Sequence, residues 1–205
     1  MRRHPAFAPE GLWLFIILAV VAIVLARFAG PLWALPVLTL IALLLALFRD
    51  PRRETPLAPN AVLAPVDGWV IDTSLSRSGL LDRQSLRIRI RVNPLGAYTV
   101  RAPVEGKLLD PRDNAREGSR LTGRGGLWLR TDEGDDIVVA FTGRGLLGVP
   151  KAFRRYGERV GHGHRVAYLR LAGVADIYVG DNCLPRVEPG DYVSASTTIL
   201  AALKR

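Results

Sequence analysis

The chain has 205 residues, 49% of them hydrophobic, with a formal charge of +9 and a single cysteine. That length holds one medium domain plus a short appended segment, and the apolar share excludes a disordered polypeptide. A lone cysteine excludes a disulfide-stapled secreted scaffold, so Cys183 is expected to be a small buried residue.

Apolar residues crowd the N-terminus. Leu12 to Ala26 is an unbroken run, Arg27-Phe28-Ala29-Gly30-Pro31 interrupts it, and Leu32 to Phe48 is a second run broken only by Pro36 and Thr39. The runs predict a transmembrane helical hairpin within residues 1–50, turned at Gly30-Pro31, because glycine tolerates unusual dihedrals and proline suits a first helical position. Each run is short: a helix of this length rises about 25 Å against a hydrocarbon core of about 30 Å. A re-entrant or interfacial hairpin is therefore the rival reading. Arg2 and Arg3 before the first run, and Arg49, Arg52 and Arg53 after the second, place both termini and the following domain on the cytoplasmic side of the inner membrane. A cleaved signal peptide fits poorly, because a second apolar run follows the first at once.

Residues 51–60, rich in proline and charge, read as a juxtamembrane linker. From 61 to 205 the pattern is short strands punctuated by Gly, Pro, Asp or Asn. They fall at Val62-Leu63, Trp69 to Ile71, Leu86 to Val92, Ala97 to Val100, Lys107 to Leu109, Leu127 to Arg130, Ile137 to Phe141, Arg165 to Leu171, Asp176 to Val179 and Thr198 to Ala202. Val149 to Tyr156 reads as one short helix. Ala64-Pro65-Val66-Asp67-Gly68 is echoed by Ala102-Pro103-Val104-Glu105-Gly106, each opening an apolar strand, and Gly157-Glu158-Arg159-Val160 by Gly190-Asp191-Tyr192-Val193. The expected architecture is mainly β, a barrel-sandwich or hammerhead-like soluble domain behind the hairpin. No lysine occupies a carrier turn, so a swinging-arm role is not expected.

Several motifs stand in a telling order: Phe48-Arg49-Asp50-Pro51-Arg52; then Ala64-Pro65-Val66-Asp67-Gly68; then Asn93 through Tyr98-Thr99-Val100-Arg101-Ala102-Pro103-Val104-Glu105-Gly106. Gly163-His164-Arg165 through Leu171-Ala172-Gly173-Val174-Ala175-Asp176 follows, and Pro189-Gly190-Asp191-Tyr192-Val193 closes the series. Taken together the chain resembles the short, membrane-anchored branch of the phosphatidylserine decarboxylases. The resemblance implies a pyruvoyl enzyme of phospholipid metabolism. In that family a precursor cleaves itself at a Gly-Ser bond, an aspartate and a histidine assist, and the resulting carbonyl serves as electron sink for decarboxylation.

Carried over by position, the family aspartate matches Asp67, the histidine falls on Tyr98 and the processing serine on Gly173. Glycine has no side-chain nucleophile, so no pyruvoyl cofactor is expected at Gly173, and tyrosine is a poor base at neutral pH. Whether the chain is an enzyme is thus left open. Ser194, Ser196 and Cys183 are substitutes for the missing nucleophile, less favoured because cleavage at either serine would leave only a short tail to carry the prosthetic group and Cys183 lies beyond the expected site.

Leu86-Arg87-Ile88-Arg89-Ile90-Arg91-Val92 alternates strictly, putting three arginines on one strand face. That face suits lipid phosphate or plain solvation equally, and the hairpin tips the reading toward lipid. Arg144, in Thr142-Gly143-Arg144-Gly145, is a further head-group candidate. His162 and His164 lack an evident third ligand, so no metal is expected. The partners expected are the membrane, an anionic phospholipid or aminophospholipid, and an enzyme of the same pathway. Nucleic acid is not expected, since no aromatic-and-basic recognition module is present. Self-association into a homo-oligomer is left open.

Overall fold

The computed structural model describes residues 11–56, 58, 60–77, 84–110, 126–143, 150–170, 172–180 and 182–203. The chain divides into two compact units. One runs through Arg52 and includes Leu95–Tyr98; the other holds Arg53–Pro94 and Thr99 onward.

The first unit is a pair of helices, α1 (Leu12–Phe28) and α2 (Pro31–Leu47). Gly30, at φ 103°, makes the turn between them, a dihedral that favours glycine, and Pro31 opens α2 where a missing N–H costs nothing. The residues the helices bury are small, Ala22 and Ala34, while Leu12, Trp13, Ile17, Ile23, Leu32 and Trp33 are exposed. Neither helix has a polar face; Thr39 turns its hydroxyl back onto the Leu35 carbonyl at 2.9 Å. Phe48 closes the unit, its ring 5.9 Å from Phe15 and 4.6 Å from Tyr98.

The expectation of a transmembrane hairpin is corrected here. Among the described residues, no helix is long and apolar enough to cross a membrane. At 17 residues each helix rises about 25 Å, some 5 Å less than a typical hydrocarbon core.

The second unit is mainly β. Its strands are β1 (Ala61–Leu63), β2 (Gly68–Arg77), β3 (Gln84–Val92), β4 (Thr99–Arg101), β5 (Gly106–Leu109), β6 (Gly126–Arg130) and β7 (Asp136–Thr142). They continue as β8 (Lys151–Ala152), β9 (Arg159–Val160), β10 (Arg165–Tyr168), β11 (Val174–Gly180), β12 (Leu184–Pro185), β13 (Tyr192–Val193) and β14 (Ile199–Ala202). An eight-stranded sheet has the order β13-β2-β3-β11-β7-β6-β5-β9, and two three-stranded sheets have the orders β1-β14-β12 and β4-β10-β8. Every pairing among the described residues is antiparallel.

All three sheets feed one apolar core. Ile88 and Ile90 of β3, Ile137 and Phe141 of β7, Ile177 of β11 and Leu200 of β14 belong to it. The strict alternation of β3 is what commits one of its faces to that core. On the opposite face of the large sheet Trp128 and Val138 form a second cluster with Leu109 and Tyr178. The Trp128 indole donates to Asp136 at 2.8 Å, so its polar end is satisfied.

The echoed proline-acid-glycine turns have a steric cause. Gly68 opens β2 and Gly106 opens β5, and a Cβ at either would lie 2.0 Å from the Arg91 carbonyl or 2.2 Å from the Arg130 carbonyl. Both strands enter the sheet at a point where only hydrogen fits against the neighbouring backbone.

Two sequence expectations fail. Residues 150–156 form no helix: Lys151–Ala152 is an edge strand on β10, and a turn follows at Tyr156-Gly157, while Val149 lies outside the described residues. Sheet pairing wins over local helix propensity there. The strand expected over Ala97 to Val100 starts instead at Thr99, because Tyr98 belongs to the helical unit, its N–H bound to the Arg49 carbonyl at 3.0 Å.

Candidate functional site

Asp67 sits in the turn before β2 and is 1% exposed. Arg53 grips it with both terminal guanidinium nitrogens, at 2.5 Å to Oδ1 and 2.6 Å to Oδ2. The Ala195 N–H donates to Oδ1 at 2.7 Å, and the same Arg53 reaches the Ala195 carbonyl at 3.3 Å. A buried carboxylate needs such partners, since an uncompensated charge in this position costs several kcal/mol. The loop following Val193 is thereby tied to the turn before β2.

Gly173 immediately precedes β11. Its N–H donates to the Thr142 carbonyl at 3.1 Å and its carbonyl accepts from the Val92 N–H at 3.0 Å. The next residue, Asn93, donates its N–H to the Asp67 carbonyl at 2.8 Å. Asp67 and Gly173 thus flank the same end of β3, their backbones about two strand spacings, roughly 10 Å, apart. Among the described residues a Cβ on Gly173 would meet the Thr142 carbonyl alone, at an ordinary 3.7 Å, and its φ lies outside the left-handed region. Neither the backbone nor the described neighbours demand glycine there.

Tyr98 is buried in the helical unit with its ring against Phe48. Of the three positions singled out in the sequence, then, Asp67 and Gly173 share the β unit and Tyr98 belongs to the other.

The β3 arginines share one face as the alternation requires, yet they differ in company. Arg87 bonds Asp72 at 2.5 Å and Ser74 at 3.1 Å; Arg89 makes a two-point contact with Asp176 at 2.7 and 3.2 Å. Register explains both: Asp72 and Asp176 stand on either side of Arg89, and Ser74 is opposite Arg87. The Asp72 carboxyl is held below its ordinary range, first by its hydrogen bond to Arg87 and then by Ser74, and Asp176 raises the Arg89 guanidinium. Arg91 has no acidic partner among the described residues. Arg144 lies outside the described residues.

His162 leans on the Pro103 carbonyl at 3.1 Å, and burial lowers its pKa below the ordinary 6.5. It lines a cavity of about 280 Å³ with Asn60, Glu105, Asp132, Glu133 and Arg159, a space that none of Asp67, Gly173 or the β3 arginines borders. His164 is exposed. Among the described residues no group of three His, Cys, Asp or Glu side chains is placed to hold a metal ion. Cys183 forms no disulfide; it is half-buried, not fully buried as expected, and packs on the core.

Three features of the site were not read from the sequence: Arg53 as the partner of Asp67, Asp72 and Asp176 as partners of the arginines, and the conformation of Ser196. Ser196 is buried, has φ 66°, and donates its hydroxyl to the Gly163 carbonyl at 3.0 Å. The available signal was Asp176, a lone acid inside an apolar strand, which burial obliges to find a cation.

No protein-family model matches the chain. Among solved structures, it resembles the glucose permease IIA protein of Mycoplasma capricolum at a TM-score of 0.47 and 17% identity, over 70% of this chain and 95% of that one, a likeness too slight to bear on function. Curated relatives are far closer in sequence. The phosphatidylserine decarboxylase proenzyme of Nitrosomonas eutropha is 34% identical over 211 residues, spanning 98% of this chain and 97% of the relative. That of Aromatoleum aromaticum is 35% identical over 213 residues, with 98% and 97% covered. That of Paraburkholderia xenovorans is 32% identical over 213 residues, with 98% of each covered. Similarity at this level from end to end, over a chain in which the Asp67 turn and the Gly173 segment flank one strand end, means that the protein belongs to the phosphatidylserine decarboxylase proenzyme family.

Proposed function

We propose that this member of the family does not process itself at residue 173, and that it serves phospholipid metabolism by binding an aminophospholipid head group or by docking on an enzyme of the same pathway. The observation that carries this reading is Gly173 itself. Family chemistry needs a β-hydroxyl at the cleavage point, and glycine offers only hydrogen. The residues present do not fit a pyruvoyl group there, although the backbone leaves room for the side chain that would supply it.

The same reading seats the protein at the cytoplasmic face of the inner membrane. Helices that bury only alanines and expose tryptophan, leucine and isoleucine all round are suited to lipid, and their short rise favours an embedded hairpin that does not cross. Arginines at both ends, with a net charge of +9, favour an anionic cytoplasmic leaflet. Whether the chain also self-associates follows from neither feature.

A second reading rests on Ser196. It combines a strained φ with a preceding carbonyl, that of Ala195, which Arg53 contacts, beside the Asp67 carboxylate. Retained decarboxylase activity through cleavage between Ala195 and Ser196 is the enzymatic alternative. The deciding assay presents phosphatidylserine vesicles to the purified full chain and follows both binding and carbon dioxide release. Binding without release is the expected result; release that disappears in Ser196→Ala would overturn it in favour of the alternative.

A further inference from the structure

The outer face of the large sheet carries a row that joins two exposed aromatic rings to an arginine. Tyr192 of β13 stands opposite Trp69 of β2, Trp69 opposite Arg91 of β3, and Arg91 opposite Val174 of β11. Residues in register share a face, so the four lie side by side across four strands. The Trp69 and Tyr192 rings meet edge to face with centroids 5.0 Å apart, and they are 45% and 47% exposed. A bulge between Val70 and Asp72 inserts Ile71 into β2 and leaves it exposed beside them. The Asn93 amide donates to the Tyr192 hydroxyl at 3.2 Å, fixing that ring at the end of β3.

One row further along the same face, charge is neutralised within the molecule: Arg89 lies between Asp72 and Asp176. Arg91 alone of the three arginines has no acid among the described residues. Asp191, next to Tyr192, is exposed and accepts the Glu188 N–H at 2.8 Å. The row also borders Gly173, whose carbonyl is bound by Val92.

We infer that Trp69, Tyr192, Ile71 and Arg91 form a contact surface for a bilayer bearing anionic phospholipid, and that it brings the strand end between Asp67 and Gly173 to the head-group layer. This rests on the membrane-seated reading above. Indole and phenol rings are amphipathic and settle at the interface between head groups and acyl chains. An arginine free of internal acids is available to lipid phosphate with its planar fork, whereas Arg87 and Arg89 are already engaged. Charge complementarity selects an anionic surface over a neutral one.

The test uses the full chain carrying Trp13→Phe and Trp33→Phe, so that Trp69 and the buried Trp128 are the remaining indoles. It is reconstituted with phosphatidylcholine vesicles with or without phosphatidylglycerol, containing lipids brominated at shallow acyl positions. Expected is bromine quenching in anionic vesicles that disappears when Trp69→Phe is added, and a docked population about fivefold smaller with Arg91→Ser. Should Tyr192→Ser serve in place of Trp69→Phe, the quenching weakens likewise. If the protein floats with the vesicles while Trp69 stays unquenched and open to acrylamide, the surface is refuted and the helical seat stands. If it does not float, the seat fails and the inference with it. Shielding of Trp69 from acrylamide without bromine quenching, together with a dimer mass, would assign the row to a second copy and overturn the lipid contact.

Discussion

The helical pair and the β unit handle apolar surface in opposite ways. In the helices alanines face inward while tryptophan, isoleucine and leucine face out; in the β unit Ile88, Ile90, Phe141 and Leu200 are inside and the arginines of β3 are out. On the membrane-seated reading proposed above, the same composition rule applied to two solvents gives two inverted arrangements. The difference teaches that the average hydrophobic content describes neither region, and that each has to be read against the medium it faces.

The largest way to break that contrast is to charge the helices. Ile23→Glu with Leu38→Glu puts two ionisable groups at exposed apolar positions, and acidic or basic residues at a lipid-embedded helix centre cost about 3 kcal/mol each. The double variant is expected to lose vesicle flotation, and flotation at the original level would show that the helices do not seat in lipid.

On the β side the corresponding break is electrostatic. Arg53→Met removes the two-point ion pair from the buried Asp67 and is expected to destabilise the unit by about 3–5 kcal/mol in urea unfolding. A loss under about 1 kcal/mol would mean that the other partners of Asp67, the Ala195 N–H among them, suffice. Comparable in size, Ile88→Ala removes a fully buried side chain and should cost about 2–5 kcal/mol.

Glycine positions sharpen the comparison within the β unit. Gly68→Ala forces a Cβ to within 2.0 Å of a backbone carbonyl and is expected to be strongly destabilising, by several kcal/mol. Gly173→Ser meets an ordinary contact and should change stability by less than about 1 kcal/mol, read from the same unfolding curves. Equal effects would contradict the geometry of one of the two sites.

The smallest expected effect is a pH slope. Burial lowers the His162 pKa in the folded state, so the unfolded chain binds more protons below the ordinary 6.5. Stability should therefore fall as pH drops through that value, by no more than one proton's worth, about 1.4 kcal/mol per pH unit. His162→Gln should flatten the profile between pH 6.5 and lower values, and an unchanged slope would assign the loss to other groups.

Much of this fold was legible because its signals are local. Two apolar runs became α1 and α2, the Arg/Ile alternation became β3, and the echoed turns open β2 and β5 for a reason their glycines encode. What escaped depends on distance along the chain. Arg53 finds Asp67, Arg89 finds Asp176 and Lys151 pairs with Tyr168 only once the sheets have assembled, and no spacing announces those partners. The short helix expected near Tyr156 failed for the same reason, since β10 supplied a backbone partner that the local sequence does not reveal. The arrangement around Gly173 was half legible: the residue itself stands in the sequence, but the room left for a side chain there appears only in three dimensions.

On the reading proposed above, this chain does not cut itself, because residue 173 brings no nucleophile to the cleavage point. Intact mass of the purified protein tests it most directly. A single species near 22.4 kDa is the predicted result. Two complementary fragments, one with a blocked N-terminus beginning at residue 173 or 196, would contradict it.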